Sequence, residues 1–426
     1  MAEIVVIGAG FAGCAAAISA AKAGAKVTLL ERMDMLTGIG LAGGVMRMNG
    51  RFTAAEEMIA LGGGDMFEVC DSITRHHFEV PGWKHATLYD ALKIESATEK
   101  ALKEAGVEIR LKSRASQVKK DGGALSAVVL DSGEEIKGDA FVDATGTAGG
   151  MANCRKYGYG CVCCFLRCPT FGDRVSMAGK AGVREKKSLR GQDDFGGVSA
   201  AFHLAKESVA PEIIQELEQK GVVMIPLPPE LVHWEKSEHL TASQNQLKAL
   251  IENICLVDNG LCKVLVQQWM PLEELRSVKG FEYARMIDPY SGGIGNSIRF
   301  MAMTPRDNTL QVKGVPNLFC AGEKTGQVVG HTEAIVTGAL AGHNALRRAI
   351  GKTCLELPRS LCIGDYIAYV PEYMKTEEGQ RKRISFGGGP YFNMMKKSGT
   401  YTTDIPTIQK RVAEIGLTGV FAQEIV

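Results

Sequence analysis

Glu3-Ile-Val-Val-Ile-Gly8-Ala-Gly10-Phe-Ala-Gly13-Cys14-Ala-Ala-Ala-Ile-Ser-Ala-Ala-Lys-Ala-Gly24, with Val27-Thr-Leu-Leu30-Glu31 close behind, decides the fold of this 426-residue chain. Residues 3–7 read as a buried parallel strand. A Gly-x-Gly-x-x-Gly turn follows at once, Cys14 to Gly24 reads as a helix ending on glycine, and Val27–Leu30 reads as a second strand closed by an acid. Gly8 permits the tight turn, Gly10 lets the backbone approach a pyrophosphate, and Gly13 lets helix and strand pack closely. Phe11 and Ala12 lie at the helix start, where free N–H groups and the positive dipole end attract phosphate. Glu31, 18 residues after the last glycine, is placed to accept ribose hydroxyls, with Arg32 beside it. An isolated glycine triplet also closes ordinary turns. The strand, helix, second strand and acid around this one make it a dinucleotide site, without choosing between FAD and NAD.

The rest of the composition sets bounds. With 45% hydrophobic residues the chain can bury a large core in two or more domains. Lys and Arg number 49 against 48 Asp and Glu, so the net charge of +1 demands neither a nucleic acid nor an anionic membrane. The basic runs 184–190 and 381–383 read as solvated loops. Glycine is abundant, 50 residues, in non-periodic clusters at 38–44, 62–64, 291–295 and 386–389 that suit close backbone approach to a bulky ligand. Residues 4–21 carry no charge, but they are rich in Gly and Ala and lack a basic leader, so neither a membrane span nor a signal peptide is expected. A cytoplasmic location is expected, and its 12 cysteines should then be thiols, metal ligands or redox groups rather than disulfides.

Later segments choose the cofactor. Val107–Leu111 reads as a strand after a helical stretch over 88–105, and it leads into a segment that contains Ala115. Ala124–Leu130 and Glu134–Lys137 flank Asp131-Ser-Gly133, a β-hairpin turn. Asp139-Ala-Phe-Val-Asp-Ala144-Thr145-Gly146 is a strand running into Ala-Thr-Gly. Asn317-Leu-Phe-Cys-Ala-Gly322-Glu323 is a strand running into Ala-Gly-acid, and Gly330-His331-Thr332-Glu-Ala334 opens a helix to about Arg348.

These elements resemble the glutathione-reductase-like, two-dinucleotide-binding flavoprotein superfamily. That resemblance implies FAD: Ala115 against the adenine through its backbone, the Ala144–Gly146 turn in the FAD domain, Gly322 and Glu323 at the ribityl chain and phosphate, and the Gly330–Thr332 helix start at the flavin pyrimidine. There its dipole would favour negative charge on reduced flavin. The loop 38–44, with Gly43 and Gly44, resembles the one that passes the flavin. Within the superfamily the look is that of the GidA/TrmFO group, which acts on tRNA. Gly10-Phe-Ala-Gly-Cys-Ala-Ala, Phe281-Glu-Tyr-Ala-Arg-Met-Ile and Leu318 through Ala345 carry this likeness, and Phe165-Leu-Arg-Cys168-Pro-Thr resembles a segment whose cysteine is catalytic in that group. Departures are His331 where the group has Tyr, Glu323 where Gln is usual, and the absence of a long C-terminal tRNA-binding domain and of a recognisable TrmFO cysteine segment. No second Gly-x-Gly-x-x-Gly is visible, so no dedicated nicotinamide domain is expected.

Cys154, Cys161, Cys163, Cys164 and Cys168 fall within 15 residues, directly after the Ala-Thr-Gly turn. Three readings stand. Cys168, with Cys164, is a nucleophile or redox partner of the flavin, its thiolate favoured by Arg167 and Arg174. Cys154, Cys161, Cys164 and Cys168 ligate an iron–sulfur cluster, the 161–168 spacing resembling part of a ferredoxin run. Or the thiols are buried small hydrophobes. The other cysteines are scattered and read as core. Arg47 and Arg51 read as solvent-facing, with anion binding as the alternative. His76, His77 and His85 lie in a polar segment and read as structural, whereas His331 is a candidate proton or hydrogen-bond donor beside the flavin.

The expected architecture is α/β. A Rossmann-like FAD-binding domain, parallel sheet plus β-hairpin or meander, is formed by 1–150 and 281–350. A Cys-rich segment and α+β substrate or cap insertion covers 151–280, with helices at 210–220 and 242–253, and a helical extension follows over 351–426. The expected function is an FAD-dependent oxidoreductase with hydride transfer at flavin N5 and a participating cysteine. The alternatives are a folate- and FAD-dependent tRNA-modifying enzyme and a flavin plus iron–sulfur electron carrier. A small-molecule or protein redox partner and a homo-oligomer are expected.

Overall fold

Strand Glu3–Ile7 lies at the middle of a five-stranded parallel sheet. In spatial order the strands are Leu318–Cys320, Ala140–Asp143, Glu3–Ile7, Lys26–Leu30 and Glu108–Arg110, every neighbouring pair parallel. Parallel strands buried on both faces need apolar residues at successive positions, which Ile4–Ile7 and Ala140–Val142 supply. The computed structural model describes residues 1–81, 83–146, 175–187, 200–234, 248–266, 270–287 and 302–426. The cysteine run 154–168 lies outside them. A meander of Ala115–Asp121, Ala124–Leu130 and Glu135–Lys137, antiparallel throughout, packs on the opposite side of the sheet from the first helix.

Two helices cover the other face, Phe11–Lys22 and His331–Ala349. They touch along small residues. A Cβ on Gly338 would overlap the carbonyl oxygen of Ala12, and one on Gly342 would overlap that of Ala16. This contact explains the uncharged, alanine-rich run near the start of the sequence. Ala12, Ala15, Ala16, Ala17 and Ala20 are buried between helix and sheet rather than in lipid. Among the described residues no helix is long and apolar enough to cross a membrane.

A second, antiparallel sheet has the order Ala200–Leu204, Cys262–Val266, Asn253–Asp258, Val222–Pro226 and carries the helix Pro211–Lys220. Phe202, Leu204, Leu217, Leu256, Val264 and Phe281 form its own core. Its other face rests on a small sheet of Val45–Met46, Trp83–Tyr89 and Thr74–Val80, through Phe78, Val80, Leu88, Cys255, Val257 and Leu265. Two local expectations change here, the helices over 88–105 and 242–253. Leu88 and Tyr89 belong to a strand, and the helix expected over 88–105 begins at Ile94. His76, His77 and His85 stand on paired strands, where alternate side chains face the core and solvent. Asn253 opens a strand, so the described helix near 242–253 is Lys248–Glu252.

An ionic junction ties the two sheets. Asp258, fully buried, accepts from Arg75 at 2.9 Å and pairs with His76 at 2.9 Å. Residues beyond 350 join the main core. Glu57, also fully buried, accepts the N–H groups of Cys362 and Ile363, both at 3.0 Å, and so caps the helix Cys362–Tyr373. Arg411 from the helix Ile405–Glu414 completes the pairing at 3.2 Å.

Candidate FAD-binding crevice

Strands Glu3–Ile7, Ala140–Asp143 and Leu318–Cys320 end side by side, and the turns that follow them meet at one edge of the sheet, where α/β folds place their ligands. Gly8 holds φ at +97°, and a Cβ there would lie 2.6 Å from the carbonyl oxygen of Ala144. A Cβ on Gly13 would overlap the carbonyl oxygen of Gly8, so both positions exclude any side chain. Gly10 differs. A Cβ there would meet nothing within 4 Å, although the residue begins a buried helix. The helix has no side-chain cap, leaving its first-turn N–H groups directed at that open space. Such a cradle fits a pyrophosphate.

Glu31 is buried at the end of the second strand. Its carboxylate accepts the N–H of Ala9 at 2.7 Å and of Met33 at 2.9 Å, which fixes its orientation beside the glycine turn. Arg32 follows, half-buried. The backbone of Glu31 also binds the segment that leads to Ala115, through Ser113 N–H at 2.7 Å. Ala115 itself is buried and paired with Leu130 at the start of the meander. On the other side Gly322 sits against Ala12, its N–H donating to Thr337 Oγ1 at 2.9 Å. Glu323 is half-buried beside it. Thr145 and Gly146 close the turn after Asp143, and Thr145 Oγ1 donates to the Asp143 carboxylate at 2.6 Å. These residues therefore converge, although they come from four separate stretches of chain.

The wall of the crevice is aromatic. The His331 ring lies 4.8 Å from the Phe11 ring and 6.2 Å from that of Tyr89, centroid to centroid. Tyr89 donates from its hydroxyl to Gly40 O at 2.7 Å. Gly43 has no room for a side chain, because His331 and Tyr89 occupy that direction, and a side chain on Gly44 would strike Asn259. The antiparallel sheet reaches this loop through two side chains: Lys263 donates to Gly43 O, and Asn259 donates to the same oxygen at 3.4 Å. Tyr89, Asn259 and Lys263 escaped the sequence reading. Each sits on an antiparallel strand or the turn between two, and no local motif marks them.

The loop is strained. Thr37, Arg47 and Asn49, none of them glycine, have φ of 63°, 50° and 52°, each costing of order 1 kcal/mol. Arg47 and Arg51 do not face solvent as expected. Arg47 pairs with Glu56 and Asp71. Arg51 pairs with buried Glu333 at 3.2 Å and donates to Ser385 Oγ at 3.1 Å. The Glu333 carboxylate also accepts from Phe386 N–H at 2.8 Å, within the second helix's first turn. Thr332 beside it is fully buried.

Every described cysteine is ill-suited to attack. Burial pushes the thiols of Cys14, Cys255, Cys262 and Cys320 up to about 12. Cys70, Cys354 and Cys362 are raised by the same cause. No group of metal-ligating side chains occurs among the described residues. Cys154, Cys161, Cys164 and Cys168 fall outside them.

Comparison with known proteins agrees with this geometry. Residues 3–154 match the family model described as FAD dependent oxidoreductase, and residues 262–353 match that of glucose inhibited division protein A. The chain is similar to the GidA/TrmFO group of FAD-dependent oxidoreductases. It is 43% identical over 88 residues to a Pediococcus pentosaceus protein named tRNA uridine 5-carboxymethylaminomethyl modification enzyme MnmG, an alignment covering 20% of this chain and 13% of that one. It is 46% identical over 61 residues to a Caldicellulosiruptor bescii protein named methylenetetrahydrofolate–tRNA-(uracil-5-)-methyltransferase TrmFO, covering 14% of each. The chain thus spans about a seventh of the length of these relatives. Aquifex aeolicus GidA superposes with a TM-score of 0.64 at 17% identity, over 97% of this chain and 75% of that one, which establishes a GidA-like fold.

Proposed function

We propose that this protein is an FAD-dependent oxidoreductase in which a cysteine of the 154–168 run, Cys168 with Cys164 as its neighbour, takes part in turnover. The observation that carries the FAD reading is the empty, uncapped helix start at Gly10, framed by Glu31, Ala144 and Gly322. Bound FAD supplies hydride and electron transfer. The chain's own residues do the rest. First-turn N–H groups of the Phe11–Lys22 helix hold the phosphates, and Glu31 holds a ribose hydroxyl. Phe11 and Tyr89 exclude water from the wall, and His331 holds or moves a proton at a ring nitrogen at the crevice. A thiolate at Cys168, favoured by Arg167 and Arg174, is the nucleophile or electron relay.

A second reading, folate- and FAD-dependent modification of a tRNA uridine, is favoured by the names its relatives carry and by the match over 262–353. It adds tRNA as substrate. One set of measurements separates these. The purified protein should show a flavin spectrum and release FAD on denaturation; its absence would end both readings. Iron and sulfide in stoichiometric amount would replace the thiol by a cluster. Cys168→Ser should abolish turnover. Incubation with reduced folate and unmodified tRNA, followed by nucleoside mass spectrometry, should give a new uridine mass if the second reading holds, and none if it does not.

A further inference from the structure

The loop that borders the crevice is held at Gly43 from two sides. In front, the direction a side chain would take is filled by the His331 ring and the Tyr89 hydroxyl. Behind, the Gly43 carbonyl oxygen accepts from Lys263 and, at 3.4 Å, from Asn259. Lys263 stands on the strand Cys262–Val266, and Asn259 stands in the turn that leads into it.

Both side chains are fixed before they reach the loop. Lys263 is 8% exposed and Asn259 is fully buried. Asn259 Oδ1 accepts the N–H of Leu261 at 3.3 Å, which leaves the amide nitrogen as donor to Gly43 O and to His203 Nε2, 3.2 Å away. The Asn259 carbonyl accepts from Ala91 at 2.8 Å, and Asp258 beside it accepts from Gly260 at 3.1 Å.

The consequence falls on the other end of the same peptide. It is trans, so the N–H of Gly44 points away from the Gly43 carbonyl. With ψ of −95° at Gly43, that N–H runs nearly parallel to the side chain Gly43 lacks, toward His331 and Tyr89. Gly44 is buried, and among the described residues its N–H has no acceptor, although its carbonyl takes the Tyr89 N–H at 2.8 Å. Buried backbone donors are rarely left unmet. This one faces the crevice wall.

We propose that Lys263 and Asn259 are positioning residues: from the antiparallel sheet they fix the Gly43–Gly44 peptide so that its N–H is a ready donor to a carbonyl oxygen of the flavin ring. A donor held in place before charge develops needs no rearrangement when it does. Carbonyl oxygens of the ring become more negative on reduction, so the donor favours the reduced state. The second sheet thereby helps to set the redox potential of a cofactor bound by the first. The inference rests on FAD binding and is independent of Cys168 and of the substrate.

Spectroelectrochemical titration of the flavin in full-length holoprotein is the test. Lys263→Met should lower the preference for reduced over oxidised flavin about tenfold, seen as a fall of about 30 mV in the two-electron midpoint potential. Asn259→Ala removes the weaker arm without touching a charge and should lower that preference about threefold, or about 15 mV. Val264→Ala, on the opposite face of the Lys263 strand and in the second core, should cost stability and leave the potential where it was. If Lys263→Met does not fold, Asn259→Ala and Val264→Ala carry the test. Unchanged potentials in the variants that fold overturn the proposal. So does a shift in Val264→Ala as large as that in Asn259→Ala, or a shift confined to Lys263→Met, which would assign the effect to its charge. Purified wild type without flavin ends the FAD reading itself; flavin retained with wild-type potentials in the variants ends only this inference.

Discussion

Two helices begin at this crevice, both at a glycine and both without a side-chain cap, yet their starts are built differently. At Gly10 the space a side chain would fill is empty. At Gly330, held at φ +137°, that space is taken by Glu333 and Arg51. An anion already stands at the second helix start, and it is the protein's own carboxylate. The two positive dipole ends are therefore not equivalent. The first is open, as the proposed binding of a ligand's phosphates requires. The second is partly answered by Glu333, so on the proposed function a ligand there would be met more by the His331 side chain than by the helix backbone.

The strongest way to break this contrast is Gly13→Ala, because the new methyl has rigid backbone on its far side and no soft neighbour to yield. It should cost about 3 kcal/mol or more and be seen as a loss of soluble, cooperatively melting protein with or without FAD. Next in size is a pH effect confined to the second helix. Burial, with help from the Arg347 charge, lowers His343 to about 4. The unfolded chain takes up that proton near 6.5 and the folded chain does not, so stability falls as pH drops from 6.5 to 4, by about 3 kcal/mol at 1.36 kcal/mol per unit. His343→Leu should flatten denaturant midpoints across that range; an unchanged slope would place the acid sensitivity elsewhere.

Gly10→Ala sharpens the contrast from the ligand's side. The melting temperature without FAD should stay within about 1 °C of wild type, while FAD affinity drops about tenfold or more, since only the ligand meets the methyl. A fall in both would mean that the empty space serves packing. The smallest effect belongs to Glu333→Gln. Removing that charge should raise the flavin midpoint potential by about 20 mV, equivalent to about 1 kcal/mol for two electrons. A fall in potential would show that Glu333 does not oppose the dipole.

The first dinucleotide unit was legible because its signals are local. An uninterrupted apolar strand, glycine spacing, helix and acid all lie within residues 3–31. The Ala144–Gly146 and Gly322–Glu323 turns were legible through family resemblance, which also survives as short motifs. What escaped is held by pairing across long separations. Nothing in the neighbourhood of Lys263 or Asn259 announces that their side chains meet Gly43, more than two hundred residues earlier. No local signal marks Lys324 either, and it is sealed beside Asp143. Arg47 and Arg51 misled for the same reason, because their carboxylate partners lie on other elements. The strands within 74–89 were hidden because bulges interrupt their pairing, which blurs the alternation of exposed and buried residues.

The seam of Ala12 and Ala16 against Gly338 and Gly342 also bears on time. The first helix leaves the ribosome well before the surface that covers it, which is made more than three hundred residues later. At about 5–20 residues per second, its alanine face waits tens of seconds for a partner. The sheet strand at 318–320 arrives in the same interval. During synthesis this protein therefore carries half of its cofactor crevice unfinished, and substitutions near residue 340 will be felt first as a loss of nascent chain rather than as a loss of activity.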